Sequence, residues 1–179
     1  YRRQRQMCIR DSYTQDLTAR QLLQLQYFLQ TISHDSQFIK KIDGRHIEIP
    51  VRYGGEYGPD LLDLAQQKNM TVRELVERHT APIYTVYFMG FQPGFPYLGG
   101  LSPELYSPRH AVPRLQVPAG SVGIGGEQTG IYPFASPGGW QLLGRTELPL
   151  FNLKNEQPTL LQAGDTLSFV AIDVIEERL

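Results

Sequence analysis

The chain of 179 residues is long enough for one ordinary domain, or for one domain and part of another. Hydrophobic residues make up 41% and charged residues 20%, and these proportions exclude a disordered, collagen-like or coiled-coil protein. The formal net charge of −1 at pH 7 provides no field that would gather nucleic acid or an acidic membrane surface. We therefore expect no nucleic-acid partner and no membrane partner.

Cysteine and apolar content narrow the class further. With Cys8 as the single cysteine, no disulfide can close within the chain and no thiolate cluster can hold a metal, which favours the cytoplasm. The four histidines have neither the spacing nor the neighbours of a zinc site, so no metal is expected. Apolar runs stay far below the roughly 20 residues that cross a bilayer.

The first 12 residues do not resemble the rest of the chain. They contain four of the 17 lysines and arginines, they do not begin with methionine, and they lack the apolar core of a secretion signal. We interpret residues 1–12 as non-native sequence, of the kind that a translated sequencing adaptor produces, and not as a functional basic arm. We expect them to pack against nothing.

A first helix is predicted over residues 17–32, where apolar side chains recur every three or four positions and Thr18 with Gln21 forms a capping box. An apolar helix stripe must pack against another layer, and the preceding residues supply none. We therefore expect residues 13–42 to be the C-terminal remnant of a small N-terminal domain.

The next elements alternate between strands and short helices. Residues 46–52 alternate apolar and polar side chains, as in a half-buried strand. A helix follows Pro59, and a second one begins at the capping box formed by Thr71 and Glu74. Residues 83–89 are rich in β-branched and aromatic side chains and predict another strand.

Glycine and proline dominate the following segment, since residues 90–144 hold 12 of the 17 glycines. Its many aromatic side chains argue against a flexible linker, so we interpret it as ordered loops. Further strands are predicted over residues 141–146, 148–151 and 166–175. Short strands with glycine corners and two helices predict a mainly β fold built on a partly closed barrel.

The glycine-rich stretch over residues 118–130 is a candidate anion-binding loop, because glycines let backbone N–H groups approach a phosphate. It matches neither the Walker A spacing nor the dinucleotide-binding spacing. Ser121 has Ala119 where the Gly-x-Ser-x-Gly elbow of a hydrolase begins with glycine, and the residues after it are unsuited to the helix that the elbow needs. Glycines that form tight barrel corners explain the stretch at least as well.

Individual polar residues leave alternatives open. His79 shares a helix face with apolar residues, so it is either a hydrogen-bonded histidine at the core edge or a general base. Arg109, Arg114 and Arg145 form an anion site if the fold gathers them, and are otherwise surface ion-pair residues.

Four segments read as strings resemble one family. These are residues 51–61 (VRYGGEYGPDL), 90–101 (GFQPGFPYLGGL), 118–132 and 136–146 (SPGGWQLLGRT). Together they closely resemble the family of the 5-oxoprolinase B-type subunits, which includes the kinase inhibitor KipI and the subunit-1-type domains of urea carboxylase and allophanate hydrolase. The resemblance implies a small α/β N-terminal domain, here represented by residues 13–42, followed by a cyclophilin-like β-barrel over residues 43–179.

The resemblance also implies an activity. Family members act with A-type and C-type subunits to open the lactam of 5-oxo-L-proline to L-glutamate at the expense of ATP. We therefore expect a subunit that is inactive alone, in a complex whose ATP site the sequence does not place. Two alternatives stay open. One is a KipI-like inhibitor that binds a histidine kinase, and the other is a carboxyltransferase-type subunit that needs a biotin-carboxylase partner. Family members usually carry cysteine at the position of Arg52.

Such chemistry requires cationic and hydroxyl or amide donors, and the candidates follow from the matching segments. For substrate or anion binding we expect a single cleft lined by Arg114, Ser121, Gln128, Thr129, Tyr132, Ser136 and Arg145. A pocket or partner surface is expected from Glu56, Phe95, Pro96, Tyr97 and Trp140. No catalytic residue is identified beyond the candidate His79.

Overall fold

The structure, a computed structural model, describes residues 44–177. The helix predicted over residues 17–32, the N-terminal remnant and the first 12 residues lie outside this range and stay predictions. The described elements, besides a 3₁₀ turn at Pro103–Leu105, are β1 (His46–Gly54), α1 (Leu61–Gln67), α2 (Val72–Thr80), β2 (Tyr84–Met89), β3 (Pro96–Gly99), β4 (Arg114–Val117), β5 (Ser121–Gly125), β6 (Gln128–Ile131), β7 (Ser136–Gly138), β8 (Gln141–Arg145) and β9 (Thr166–Ile175).

Seven of these strands form a closed barrel in the order β1-β8-β5-β6-β3-β2-β9. The mainly β prediction is confirmed, and the barrel is closed where the sequence indicated only partial closure. Closure depends on β1, which pairs antiparallel with β8 on one side and parallel with β9 on the other. The remaining strands, β4 and β7, form a separate two-stranded ribbon.

The barrel interior is the main hydrophobic core. Ile49, Val51 and Tyr53 alternate along β1 and are fully buried, as the period-2 pattern of the sequence predicts. Both helices add to the same core, with Leu61 from α1 and Leu75 from α2 among the side chains without exposed surface. The predicted stripe of α2 is therefore its core-facing side.

The two helices begin where the sequence predicts. The Thr71 hydroxyl accepts a hydrogen bond from the Glu74 N–H (3.1 Å), and the Glu74 carboxylate accepts one from the Thr71 N–H (2.7 Å). This reciprocal pair is the predicted capping box, and it satisfies two N–H groups that a helix start otherwise leaves free. Asn69, with a φ of 54°, ends the preceding helical segment in the left-handed region that asparagine tolerates.

The structure differs from the sequence prediction in the glycine-rich segment, where residues 96–138 form five strands instead of loops. Hydrophobic alternation is hidden there because glycines occupy the outward positions of β5 and β6. Val122 and Ile124 point into the barrel core, whereas Gly123 and Gly130 lie on the outer face beneath Trp140. These strands do alternate with a period of two, but their outward positions hold glycine where an ordinary half-buried strand has polar residues.

The strand predicted over residues 148–151 is wrong. Only an isolated bridge joins Phe151 to Thr159 there. Pro149 lies inside this run and has no N–H to donate to a ladder, which limits pairing to single contacts.

A second, smaller core covers the outer face of the barrel. It consists of Phe95, Val117, Tyr132, Trp140 and Leu142, with Tyr97 packed against it. Val117 comes from the β4–β7 ribbon, so the ribbon lies over this aromatic layer. A Cβ atom at Gly130 would lie 3.0 Å from the Trp140 ring and 2.9 Å from the Pro96 carbonyl oxygen. The absence of a side chain at Gly130 lets the layer approach the strand.

We expect Gly130→Ala to lower the free energy of unfolding by about 1–3 kcal/mol, because the added methyl group overpacks the contact between β6 and the aromatic layer. Gly139→Ala is the matched control, since its Cβ would have no neighbour closer than 3.6 Å. Urea unfolding followed by Trp140 fluorescence measures both. Equal stability of the two variants would contradict the close approach described for β6.

Candidate functional site

His79, the candidate catalytic residue, lies inside the core. It has no exposed surface, and its ring stacks on Phe169 with the centroids 4.7 Å apart. Its Nδ1 lies 2.9 Å from the Tyr53 hydroxyl and its Nε2 lies 3.0 Å from the Thr129 hydroxyl. Substrate cannot reach either nitrogen through this packing, which favours the structural alternative over the general base.

The hydrogen bonds around His79 determine its tautomer. The Thr129 hydroxyl donates to the Gly123 carbonyl (3.0 Å), so its oxygen is left to accept from a protonated Nε2. Nδ1 is then the acceptor for the Tyr53 hydroxyl. Burial lowers the pKa of His79 to about 3, because the charged ring would lose its hydration without gaining an acidic partner. A neutral chain of donors therefore links β1, α2, β6 and β5 through the barrel interior.

A second polar centre forms around Asp60, at the start of α1. Its carboxylate accepts hydrogen bonds from Arg114 Nη2 (2.5 Å) and from the Leu142 N–H (2.7 Å), and His110 Nε2 lies 3.3 Å away. Asp60 is nearly buried, so three donors replace the water that it loses. The contacts hold together α1, the β4–β7 ribbon and β8.

Arg145 occupies a third position, at the end of β8. It lies directly opposite Arg52 of β1 on one side and opposite Ser121 of β5 on the other. The Arg145 guanidinium lies 4.7 Å from the centroid of the Tyr57 ring, and that of Arg52 lies 5.7 Å from it. Two guanidinium groups therefore share one aromatic ring on the outer face of the barrel.

The second and third centres meet at one short segment. Arg114 contacts Asp60 and Arg145 contacts Tyr57, and only two residues separate Tyr57 from Asp60. A chain of this length spans about 10 Å when fully extended, so both arginines touch one small loop. We name residues 57–60 the arginine-bound loop. It comes from the GGEYGPD motif of the sequence.

The other predicted residues divide between three places. Ser121 and Tyr132 lie near Arg145, since Ser121 is opposite Arg145 and the Tyr132 N–H donates to the Ser121 carbonyl (2.9 Å). Gln128 lies at the far end of the β5–β6 hairpin, opposite Gly125. Thr129 is fully buried beside His79 and contributes to the core instead of to an anion site.

The predicted pocket residues are mostly part of the aromatic layer. Phe95, Pro96 and Trp140 are buried, and Tyr97 stacks on Phe88 with the centroids 4.3 Å apart. Burial raises the pKa of Tyr132 to about 12, against opposing effects from a Trp140 backbone hydrogen bond and from Arg109 and Arg114. These aromatic side chains form a packed layer, not an open pocket.

Ser136 and Glu56 lie in different surroundings. Ser136 is buried in β7 opposite Val117, and its hydroxyl has no hydrogen-bond partner among the described residues. Glu56 is exposed beside a solvent-open cavity that Asp63 and Glu177 also line. Because these side chains are acidic, this cavity does not suit an anion.

The glycine-rich stretch does not form a phosphate loop. The N–H groups of Gly120 and Gly126 donate to the Tyr132 and Ser107 carbonyls, both at 2.7 Å. Residues 121–125 and 128–130 of the stretch lie in the strands that pair β5 with β6 and with β8. With these donors engaged, the stretch does not fit the phosphates of a nucleotide. The anion-loop alternative is therefore not supported, and its glycines serve the strands and the aromatic layer.

Sequence reasoning missed Tyr57, Asp60, His110 and the role of Arg52. Asp60 was visible only as a residue at a helix start, because its three donors come from distant parts of the chain. One available signal concerned Arg52, since alternation along β1 places it on the face opposite Val51 and Tyr53.

Within residues 44–177, no group of three side chains forms a metal site, and no helix is long and apolar enough to span a membrane.

Comparison with known proteins supports the family assignment. A family model for the carboxyltransferase domain, subdomain C and D, matches residues 11–161. The chain belongs to this carboxyltransferase-domain family. The predicted resemblance is confirmed at this level.

Curated relatives of this carboxyltransferase-domain protein include the 5-oxoprolinase B-type subunit from Haemophilus influenzae, 61% identical over 132 residues. The B-type subunit from Bacillus subtilis is 52% identical, also over 132 residues. These matches cover 74% of this chain in both cases, but only 62% and 55% of the relatives. The chain thus spans less than two thirds of their length.

A solved structure has the same fold. The crystal structure of a conserved uncharacterized protein from Pyrococcus horikoshii matches with a TM-score of 0.70 and 48% identity. The match covers 83% of this chain and 68% of the other. The closed barrel is therefore the fold of the carboxyltransferase-domain family.

The buried His79 predicts a pH dependence. Its folded-state pKa of about 3 lies below the ordinary 6.5, so the unfolded chain binds a proton that the folded chain does not. The neutral, buried His79 should contribute its full stabilisation above pH 6.5. Below that pH the free energy of unfolding should fall toward pH 3, with a slope approaching about 1.4 kcal/mol per pH unit. Urea unfolding between about pH 5 and 7.5, where most carboxylates stay ionised, measures the slope. His79→Gln should flatten it, and an unchanged slope in that variant would contradict the assignment.

The Asp60 centre predicts a stability loss. Asp60→Asn preserves size but removes the charge that pairs with Arg114. It also replaces one carboxylate oxygen by an NH₂ group, which cannot accept a hydrogen bond from the surrounding donors. We expect the free energy of unfolding to fall by about 1–3 kcal/mol, since Asp60 is nearly buried and Arg114 is partly exposed. Glu77→Gln, which changes an exposed carboxylate of α2, is the matched control and should change stability by less than about 0.5 kcal/mol. Equal losses in the two variants would show that the Asp60 contacts contribute nothing.

Proposed function

We propose that this chain acts as the B-type subunit of an ATP-dependent 5-oxoprolinase, which opens 5-oxo-L-proline to L-glutamate together with A-type and C-type subunits. The observation that carries the proposal is the 61% identity to a 5-oxoprolinase B-type subunit over nearly three quarters of the chain. Family members with other roles share the fold, so the fold alone does not support this choice. The composition still predicts the cytoplasm as its location.

The described residues support a contributing subunit more than an independent enzyme. The candidate base His79 is sealed in the core, and the Tyr132 hydroxyl has a pKa raised to about 12. Neither group is suited to move a proton at neutral pH. The outer face carries cationic side chains around the arginine-bound loop, and these side chains can bind and orient an anionic group. Proton transfer would then depend on residues of the partner subunits.

ATP fits the proposal as a reactant of the assembled complex. Phosphorylation of the lactam oxygen would make the ring carbon a better electrophile, and this is the chemistry that ATP supplies. The glycine-rich hairpin is a poor nucleotide site, because the N–H groups of Gly120 and Gly126 are paired and its two strands are engaged in the barrel ladders. The role assigned to this chain is therefore binding and orientation, with no step placed on its own residues.

Exposed aromatic side chains support a partner surface on the β2–β3 side. Tyr87 and Phe91 expose 65% and 62% of their surface, and Phe88 exposes 49%. Phe91 also adopts a φ of 65°, in a tight turn that the Gln92 N–H closes on the Gly90 carbonyl (2.7 Å). Such strain in a bulky residue is retained where the conformation is used. We propose that a partner subunit of the complex covers this face.

Reconstitution tests the proposed function. The chain alone should show no ATP-dependent conversion of 5-oxo-L-proline to L-glutamate, whereas addition of the A-type and C-type subunits should produce it. Glutamate release and phosphate release are measured together, in the presence and absence of each component. Leaving out this chain is the matched control.

Two outcomes would overturn the proposal. One is turnover by the purified chain without partners. The other is a complex of the A-type and C-type subunits whose activity does not depend on this chain. Tight inhibition of a sensor histidine kinase would favour the KipI-like alternative, and carboxyl transfer with a biotin-carboxylase partner would favour the carboxyltransferase alternative.

A further inference from the structure

The outer face of the barrel carries a like-charge pair that the described residues compensate only weakly. Arg52 and Arg145 are direct cross-strand partners between β1 and β8, so their side chains leave the sheet on the same face. Two positive charges in this relation repel one another. Because both side chains are partly exposed, water and salt screen this repulsion in part, and a bound anion would relieve it further.

The described residues compensate the pair only weakly. Glu147 lies 3.8 Å from Arg52 Nε, and its own side chain is 84% exposed. Asp173 is opposite Arg52 on β9, but within residues 44–177 no ion pair joins them. Among the described residues, the Arg145 side chain forms no hydrogen bond or ion pair, and its one specific contact is the Tyr57 ring.

One donor of the pair is both shielded and unused. Arg52 Nε is buried, and it has no hydrogen-bond partner in the part of the chain that the structure describes. Buried N–H groups are rarely left in this state, and each such group calls for an explanation. The Arg52 side chain as a whole is 40% exposed, so a ligand oxygen would meet its exposed part and not the closed-off Nε.

Tyr57 organises the two guanidinium groups. The centroid of the Tyr57 ring lies 4.7 Å from Cζ of the Arg145 guanidinium group and 5.7 Å from Cζ of the Arg52 guanidinium group. Stacking on an aromatic ring leaves the N–H edges of a guanidinium group free, because the contact uses its flat face. The N–H groups of the two guanidinium groups that do not face the ring thus stay available beside it, with the exception of the buried Arg52 Nε.

From these observations we propose that Arg52, Arg145 and Tyr57 form a binding site for an oxyanion of the carboxylate or phosphate type. Planar N–H forks match the paired oxygens of these groups better than they match a spherical anion. Both sources share this chemistry, as a substrate carboxylate and a phosphoryl group each present such oxygens. The site stands on the geometry of this chain and does not depend on the proposed 5-oxoprolinase role.

Direct binding to the purified chain tests the site. Calorimetric titration with inorganic phosphate, and separately with 5-oxo-L-proline, is run in Tris-chloride at low ionic strength. At least one probe should bind, and the stronger one identifies the source of the oxyanion. Arg52→Gln and Arg145→Gln should each weaken that binding about tenfold or more, because a charge-assisted bond is lost. Glu147→Gln should strengthen it, since it removes the nearby competing carboxylate.

The matched control is Arg73→Gln, which removes an exposed arginine of α2 that pairs with Glu176. It should leave binding within about twofold of the unchanged chain, because the Arg73 charge is highly exposed and already paired with Glu176. Circular dichroism confirms that each variant is folded. A second readout needs no substitution: the Nε–H resonances of Arg52 and Arg145 should shift on addition of the bound probe.

Three results would overturn the proposal. They are failure of both probes to bind the unchanged chain, equal binding by the unchanged chain and the two arginine variants, and arginine resonances that do not move. A reconstituted complex without 5-oxoprolinase activity would contradict the proposed function alone, because these titrations use only this chain.

Discussion

Closure of the barrel through β1 is the constraint on which the rest of the structure depends. β1 is the one strand that joins β8 to β9, with antiparallel pairing on one side and parallel pairing on the other. At its start the Arg45 guanidinium pairs with Asp165 (2.6 Å) just before β9. Burial opposes the charge on Asp165, but the hydrogen bonds from Arg45 outweigh it and hold the pKa of this carboxyl below its ordinary value. The register set there decides which β1 residues enter the core, because a slip by one residue would exchange the two faces.

The two faces of the closed sheet serve different purposes. Inside, Tyr53, His79 and Thr129 form a chain of hydrogen bonds in which every donor finds an acceptor, so a polar group can lie in the core without charge. Outside, glycines on β5 and β6 leave room for an aromatic layer that the β4–β7 ribbon covers. Beyond the edge of this layer lie Arg52 and Arg145, where the sheet carries charge instead of apolar side chains. Among the described residues, the outer face therefore carries charge at Arg52 and Arg145, whereas the core carries neutral polar groups at Tyr53, His79 and Thr129.

The arginine-bound loop connects these features to the proposed role. Asp60 ties it to the ribbon through Arg114 and to β8 through the Leu142 N–H, so the loop is held firmly on the barrel. Tyr57, three residues earlier, is consequently held above the arginine pair. A preorganised group of donors of this kind binds an anion without first reordering its side chains. A site rich in arginine is consistent with a protein that positions an anionic group for chemistry completed by partner residues.

The sequence alone determined the elements whose physical signals are local. Alternation predicted β1, and the Thr71–Glu74 capping box predicted the start of α2, because each depends on neighbours within a few residues. The residue strings also identified the family. The single cleft that they predicted stays a prediction, although Ser121 does lie opposite Arg145. Tertiary structure decided the rest. His79 proved to be a core residue because its partners lie 26 and 50 positions away, and Asp60 became a centre because its three donors lie 50, 54 and 82 positions away. The glycine-rich strands were missed because glycine at their outward positions hides the alternation of polar and apolar residues that predicts a strand. Only the tertiary structure shows that these glycines make room for the aromatic layer.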